Sequence, residues 1–265
     1  MLTFPFFSFF GEERPMDISQ LKSQARKFAR YLQGIKEQHP PDDFTFYGYD
    51  ILSNLVHLDN LLSGKNRKIF AQLKGQPIAD VGAADGDLAF FLESVGLSAD
   101  IIDFGPTNWN GLRAARHLKS VLNSDVEVHE IDLDDYFEMP RPHYGMILML
   151  GILYHLKNPY YVLERFSRHT EWLILSTRIA RYGPEGTPLR DLPIGYLLAP
   201  DECNNDASNF WIFSETGLRR ILDRTGWQIL DFYTVGDVVK SNPADASHDE
   251  RAFLLARSNQ HPQTV

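Results

Sequence analysis

The run Ile78-Ala79-Asp80-Val81-Gly82-Ala83-Ala84-Asp85-Gly86 places an acid and two glycines at the end of an apolar segment. A buried strand that enters such a turn and then opens a helix gathers backbone N–H groups at one point. Glycine lets a ligand approach them closely. The spacing is Gly-x-x-x-Gly, not the Gly-x-Gly-x-x-Gly of dinucleotide binders, which disfavours a nicotinamide-dependent oxidoreductase. An acid at Asp80 suits a cationic cofactor with an amino-acid group better than a pyrophosphate. Gly82, Ala84 and Gly86 are the backbone positions expected against that cofactor.

Further acids fall where a nucleoside would need them. Asp103 ends a second apolar run and can accept from both hydroxyls of a ribose, or serve as a turn or cap residue. Asn108 and Trp109 follow and are placed to flank ribose or adenine, although Asn108 equally suits the cap of the next helix. Asp132 closes a third run and can accept from an adenine amino group, unless it belongs to a solvated acidic loop with Asp134 and Asp135. A fourth run ends in Leu150-Gly151-Ile152-Leu153-Tyr154-His155, where Leu150 and Gly151 bring the backbone near a ligand. Tyr154 and His155 then stand at the end of the strand. A histidine there can act as a general base near neutral pH or brace the loop; both readings stay open.

The elements that must position these residues follow from the hydrophobic pattern. Residues 16–38 read as an amphipathic helix, with Ile18, Leu21, Ala25, Phe28, Ala29 and Leu32 near a 3.6 period, stopped by Pro40-Pro41. A looser helical or lid segment runs from Phe44 to about Leu73. Strands are expected at Ile78–Gly82, Asp100–Phe104, Val126–Ile131, Gly145–Leu150, Trp172–Ser176, Gln228–Tyr233 and Ala252–Ala256. Helices are expected near Leu88–Val95, Gly111–Leu122, Pro159–Ser167 and Glu215–Thr225. Such alternation implies a doubly wound α/β domain with a seven-stranded, mostly parallel sheet over residues 74–258. Residues 1–73 then form an N-terminal tail, helix and lid, and 259–265 a flexible tail. Residues 179–213 form an insertion expected over the active site, at the carboxyl ends of the strands.

Composition narrows the classes. With 265 residues, 43% apolar and 23% charged, the chain is ordinary globular material. A net charge of -9 disfavours nucleic acid as a partner, because phosphate binding needs concentrated Lys and Arg. The basic stretches Lys22 to Arg30 and Lys65 to Lys68 are short and interrupted. Cys203 is the only cysteine, so no intrachain disulfide forms and a reducing compartment is favoured. The apolar run Met1 to Phe10 is too short to span a bilayer and has no secretory pattern, so a cytoplasmic enzyme without a transmembrane segment is expected. The oligomeric state stays open.

Together these elements resemble a class I S-adenosylmethionine-dependent methyltransferase, over about residues 70 to 258. The resemblance implies S-adenosyl-L-methionine as cofactor and a Rossmann-like fold. More narrowly, the chain resembles the family of the bacterial tRNA uridine 5-oxyacetic acid carboxymethyltransferase. Its Gly-x-Leu-Tyr-His turn is matched by Gly151 to His155, and its Asn-aromatic-aromatic segment by Asn209, Phe210 and Trp211. Its Gly-aromatic pair is matched by Gly226-Trp227, and its Phe-x-x-Tyr-Gly segment by Phe44 to Gly48. That family carries a lysine just before Phe-x-x-Tyr-Gly, toward the extra carboxylate of a carboxylated cofactor; this chain has Pro41-Asp42-Asp43. Acids there would repel such a carboxylate.

The expected reaction is therefore ordinary methyl transfer to oxygen or nitrogen of a small-molecule or sugar-like acceptor. His155 is the base, Tyr154 orients donor or acceptor, and Tyr47, Asn205, Asn209 and Trp211 shape the acceptor pocket; no metal is expected. Two alternatives remain: a tRNA-modifying (carboxy)methyltransferase, and a catalytically silent protein that only binds the cofactor.

Overall fold

The computed structural model of the chain describes residues 17–73 and 75–260. The apolar run Met1 to Phe10 and most of the tail expected at 259–265 lie outside the described residues. So do Met16, where the first helix is expected to begin, and Lys74, the expected first residue of the sheet domain. The described residues divide into two compact units, 17–132 with 144–146, and 133–143 with 147–260.

The first unit opens with α1, Ile18–Gln38. Its start is set by a capping box, in which Asp17 accepts from Ser19 N–H and Gln20 bonds back to the Asp17 N–H. Ile18, Leu21, Ala25, Phe28 and Leu32 form its buried stripe, and it ends at His39, before the two prolines. Packed on it is α2, Asn54–Leu61, which buries Leu55, Leu58 and Leu61. Arg67 clamps this pair, reaching Asp17 at 3.0 Å and Asp59 at 2.6 Å. A short helix, α3 (Ile69–Gln72), follows. The segment expected from Phe44 as helical or a lid is helical only from Ile51 on. Residues 44–47 form no helix or strand; their backbone is tied to Asp85 of the glycine turn and to Asn110 ahead of the fifth helix.

Three parallel strands complete this unit: β1 (Ile78–Val81), β2 (Ala99–Asp103) and β3 (Glu127–Glu130), with Ile78 opposite Ala99 and Asp100 opposite Glu127. All four residues of β1 are buried, as a strand covered on both faces requires. Between the strands run α4, Asp87–Ser94, and α5, Arg113–Leu122. The latter starts two residues later than expected, because Leu112 sits in a left-handed conformation (φ 63). β4, Tyr144–Leu150, begins in this unit, where the Gly145 N–H donates to Pro77 O at 2.9 Å.

In the second unit the sheet continues from β4 to β5, Thr170–Ile179, with α6 (Pro159–Ser167) between them in sequence. The chain then forms the short strands β6 (Gly195–Leu197) and β7 (Trp211–Phe213), the helix α7 (Glu215–Arg224), and the long strands β8 (Trp227–Gly236) and β9 (Glu250–Ser258). β9 pairs antiparallel with β5 from Trp172–Arg257 to Ile179–Glu250, and β8 pairs antiparallel with β9. All seven expected strands form. β5, β8 and β9 extend past their apolar centres, since ladder hydrogen bonds do not require apolar side chains. The insertion is not structureless. Among the described residues, its strands β6 and β7 raise the sheet to nine and pair with β5 through Ile179–Phe213.

No described helix is long and apolar enough to cross a membrane. Tyr144 Oη donates to the buried carboxylate of Asp100 on β2 at 2.9 Å. Tyr144→Phe is therefore expected to lower unfolding free energy in urea by about 1.5–3 kcal/mol. A loss below ~0.5 kcal/mol would show that Asp100 does not depend on this hydroxyl.

Candidate active site

In the first unit the glycine turn joins β1 to α4. Gly86 is left-handed (φ 85), and a Cβ on it would lie 2.5 Å from Ile101 Cδ1, so glycine is required on two counts. Ala84 adopts φ 53, held by its N–H to Asp103 Oδ2 (3.1 Å) and its carbonyl, which accepts from Asn108 Nδ2 (3.0 Å). The Gly82 N–H donates to Ile102 O at 2.9 Å, which carries the sheet ladder into the turn.

Asp80 is 4% exposed, and its Oδ2 has no hydrogen-bond partner among the described residues. Burial, and then the charge of Asp103, raise its carboxyl to about 7, against the Ala89 backbone N–H, which lowers it. Asp103 is also raised by burial, offset by its hydrogen bonds from Asn108, Phe104 and Ala84. Asn108 spends both amide hydrogens on Ala84 O and Asp103 Oδ2, while its Oδ1 accepts from the N–H groups of Asn110 and Leu112. Trp109 is exposed and donates from Nε1 to Thr45 Oγ1 at 3.2 Å. Asp132 is half-buried, two residues beyond β3.

Asp85, Lys36 and Asn110 carry weight in this unit that the sequence does not signal. Asp85 is 1% exposed and accepts from the Tyr47 N–H (2.7 Å), Asn110 Nδ2 (2.8 Å) and Lys36 Nζ (3.3 Å). Lys36 also meets both oxygens of Asp87 at 2.9 Å, opposing the rise that burial imposes on that carboxyl. Tyr47, pinned through its backbone, lines an open cleft of about 440 Å³ with Arg30, Gln33, Lys36 and Tyr49. Only the Asn-x-Asn spacing of 108 and 110 hints at this network in advance.

In the second unit Leu150 ends β4 and is half-buried. Gly151 follows at φ 88, where a Cβ would lie 3.2 Å from Arg251 Nη1. Its N–H donates to Ser176 O at 2.9 Å. One 3₁₀ turn, Leu153–His155, then presents Tyr154 and His155 with ring centroids 4.3 Å apart. The Arg251 guanidinium lies 5.6 Å from the centre of the Tyr154 ring. The insertion docks on this turn. Phe210 N–H donates to Tyr154 O at 2.7 Å, and His155 Nδ1 lies 3.0 Å from Ser208 O and 3.1 Å from Ser208 Oγ. Burial lowers the His155 pKa and Arg251 adds to that, while Ser208 and Asp206 act in the opposite direction.

The remaining expected residues separate. Asn205 is exposed, at φ 55. Asn209 is only 5% exposed, with Nδ2 on Cys203 O at 3.1 Å and Oδ1 without a partner. Its one side-chain hydrogen bond among the described residues thus stays within the insertion. Trp211 is half-buried and donates to Lys157 O at 3.2 Å. Arg251, Asp206 and Ser208 were not singled out by the sequence, although Asp206-x-Ser208 is a side-chain turn pattern.

A family model described as a methyltransferase domain matches residues 28–231. No curated protein matches the chain. Among solved structures, the N-terminal domain of EvdMO1 with S-adenosylhomocysteine bound is 14% identical, covering 93% of this chain and 100% of its own, with a TM-score of 0.51. The candidate methyltransferase in complex with the Trm112 activator of Haloferax volcanii is 11% identical, covering 92% and 99%, also at 0.51. A candidate methyltransferase of Bacillus halodurans C-125 is 14% identical, covering 71% and 97%, at 0.50. These likenesses establish the fold, and the family match covers most of the sequence: the chain belongs to the methyltransferase-domain family.

Proposed function

We propose that the chain methylates a small hydroxylated acceptor, sugar-like in polarity, at oxygen or nitrogen, with S-adenosylmethionine as donor. The observation that carries this reading is the unpartnered, buried Oδ2 of Asp80 beside the glycine turn. A buried carboxylate oxygen without a partner is costly, and a cationic ligand offsets that cost. S-adenosylmethionine supplies an already electrophilic methyl group and leaves as S-adenosylhomocysteine, its sulfur keeping the electron pair of the broken bond.

Asp80 with the backbone of Gly82, Ala84 and Gly86 holds the cationic amino-acid end. A carboxylate offers about four acceptor positions. Asp103 uses three of them on Ala84, Phe104 and Asn108, which leaves one for a ribose hydroxyl. Asn108 has both donors and both acceptor positions engaged, so it braces Asp103 rather than touching the cofactor. Trp109 and Asp132 face the adenine, and Leu150 and Gly151 line the backbone beside the reacting methyl. His155 accepts the acceptor's proton and Tyr154 orients it. Tyr47, Trp211 and Asn205 shape the approach, and Asn209 braces the insertion. The net charge of -9 and the single, buried Cys203 support a small-molecule acceptor and a reducing, cytoplasmic location.

One observation favours a second reading, a tRNA-directed carboxymethyl transfer. Asp43, whose charge argues against a carboxylated cofactor, is ion-paired with Arg113 at 3.1 Å, which weakens that repulsion.

A thermal-shift comparison of S-adenosylhomocysteine, carboxylated S-adenosylmethionine and NAD separates these readings. S-adenosylhomocysteine at about 100 times its Kd should stabilise by roughly 2.7 kcal/mol. A response to the carboxylated cofactor alone moves the tRNA reading to the front, and a response to NAD alone overturns both. Asp80→Asn should weaken S-adenosylmethionine binding about tenfold or more, as expected for losing a charged hydrogen bond.

The pH dependence has a definite sign. The folded Asp80 value of about 7 lies above the ordinary 3.8, so its contribution to stability is full below about pH 4 and is lost as pH rises through 7. A paired cation removes that loss, so ligand stabilisation should be larger at pH 8 than at pH 6, and Asp80→Asn should flatten the difference. Once an acceptor is found, His155→Ala should cut turnover by about 10²–10⁴-fold while S-adenosylhomocysteine still binds. Undiminished turnover would remove the base role.

A further inference from the structure

His155 is held from one side only by groups that fix its chemistry. A carbonyl oxygen can only accept, so the 3.0 Å contact of Nδ1 with Ser208 O requires the proton to sit on Nδ1. The same N–H points at Ser208 Oγ, 3.1 Å away. That hydroxyl in turn donates to Asp206 Oδ1 at 2.6 Å, and the Ser208 N–H donates to the same oxygen at 2.9 Å. Asp206 therefore fixes both the backbone and the side chain of Ser208. In the neutral ring the lone pair is left on Nε2.

We propose that Asp206 and Ser208 form a relay that holds His155 in its Nδ1–H tautomer, with Nε2 as the proton acceptor for a hydroxyl-bearing substrate. The inference rests on the base role assigned to His155 above. As the acceptor oxygen takes up the methyl group, its proton passes to Nε2. The imidazolium so formed donates from Nδ1 to Ser208, its charge is opposed by Asp206, and the proton then leaves to water. The Asp206–Ser208 pair does for this ring what a carboxylate does directly in hydrolase triads, with a hydroxyl interposed.

The groups facing the ring set its balance. Arg251 from β9 and burial keep it neutral at rest, and Asp206 from the insertion limits how far it falls. Asp206 is itself held below the usual carboxylate value by Ser208 and His155, against the effect of burial, which is the largest influence on it. A merely packed histidine would not need a charge connected to it through an ordered hydroxyl. Asp206 and Ser208 are thus positioning residues: neither is placed to touch the methyl group, and both act through the ring.

The test is nitrogen-15 NMR of the full chain with labelled histidine, the His155 signals being assigned by their loss in His155→Gln. The wild-type ring should carry its proton on Nδ1 at pH 8 and titrate below the ordinary 6.5. Asp206→Asn should lower the midpoint further, by ~0.5 unit or more, since it removes an opposite charge. Ser208→Ala keeps the backbone carbonyl and so the Nδ1–H tautomer, but cuts the link to Asp206, and it should lower the midpoint as Asp206→Asn does; Ser208→Thr should restore it. S-adenosylhomocysteine should stabilise all three variants as it does the wild type, which verifies their folding. A ring protonated on Nε2, or a midpoint unmoved by Asp206→Asn, would overturn the relay. Full turnover by His155→Ala beside an intact NMR signature would instead overturn the base role on which it rests.

Discussion

Asp85 is buried to 1% exposure, and its two oxygens accept from three segments far apart in sequence: Lys36 at the end of α1, Tyr47 in the stretch between α1 and α2, and Asn110 ahead of α5. A buried carboxylate is tolerated only when its acceptor positions are filled with good geometry, and removing one partner leaves an expensive remainder. The glycine turn, the end of the first helix and the loop carrying Asn108 are therefore fixed to one another by a single side chain. Asn110 adds the reverse contact, donating to Thr45 O and accepting from the Ala114 N–H. The placement of Asp80 and Asp103 depends on this hub. It holds the turn that follows Asp80 and the Asn108 loop that braces Asp103.

The second unit solves a similar problem with arginine. Glu250 is fully buried and accepts from Arg181 Nε and Nη2 at 2.7 and 2.6 Å and from Ser241 Oγ at 2.7 Å. Arg178, also buried, lies 2.6 Å from Asp249, donates to Asp245 O at 2.8 Å and contacts the Cys203 thiol. Bidentate and backbone-capped guanidinium groups of this kind give directional restraint as well as attraction. They tie the start of the insertion and its Cys203 bend to the β8–β9 connection. The far end of the insertion is left to rest on the Tyr154-His155 turn.

The fold was legible where the signal is local. Short runs such as Ile78–Val81 and Tyr144–Leu150, set between helical stretches, read as buried strands, and the Gly-x-x-x-Gly turn between β1 and α4 announces itself by type and spacing. β6 and β7 escaped notice because three residues are too few to show an alternation, and their pairing is made with each other across a loop. The hub at Asp85 escaped because an acid in a turn looks the same whether its partners are water or three distant segments. Asn108 and Asn209 show the same limit from the other side: residue type allows a ligand-facing or a bracing role, and only the structure shows that Asn108 bonds wholly, and Asn209 in part, within the protein. The residues of the glycine turn lie in one short local stretch, whereas Ser208 reaches His155 across 53 residues of chain.

The forked sheet has an evolutionary consequence. β5 spends its length on β9 and only its last residue on the hairpin of β6 and β7. Changes of length or sequence within that hairpin therefore cost little of the ladder that keeps β5, β8 and β9 together. Descendants of such a chain are free to remodel this edge of the sheet while the ladder of β5, β8 and β9 stays as it was.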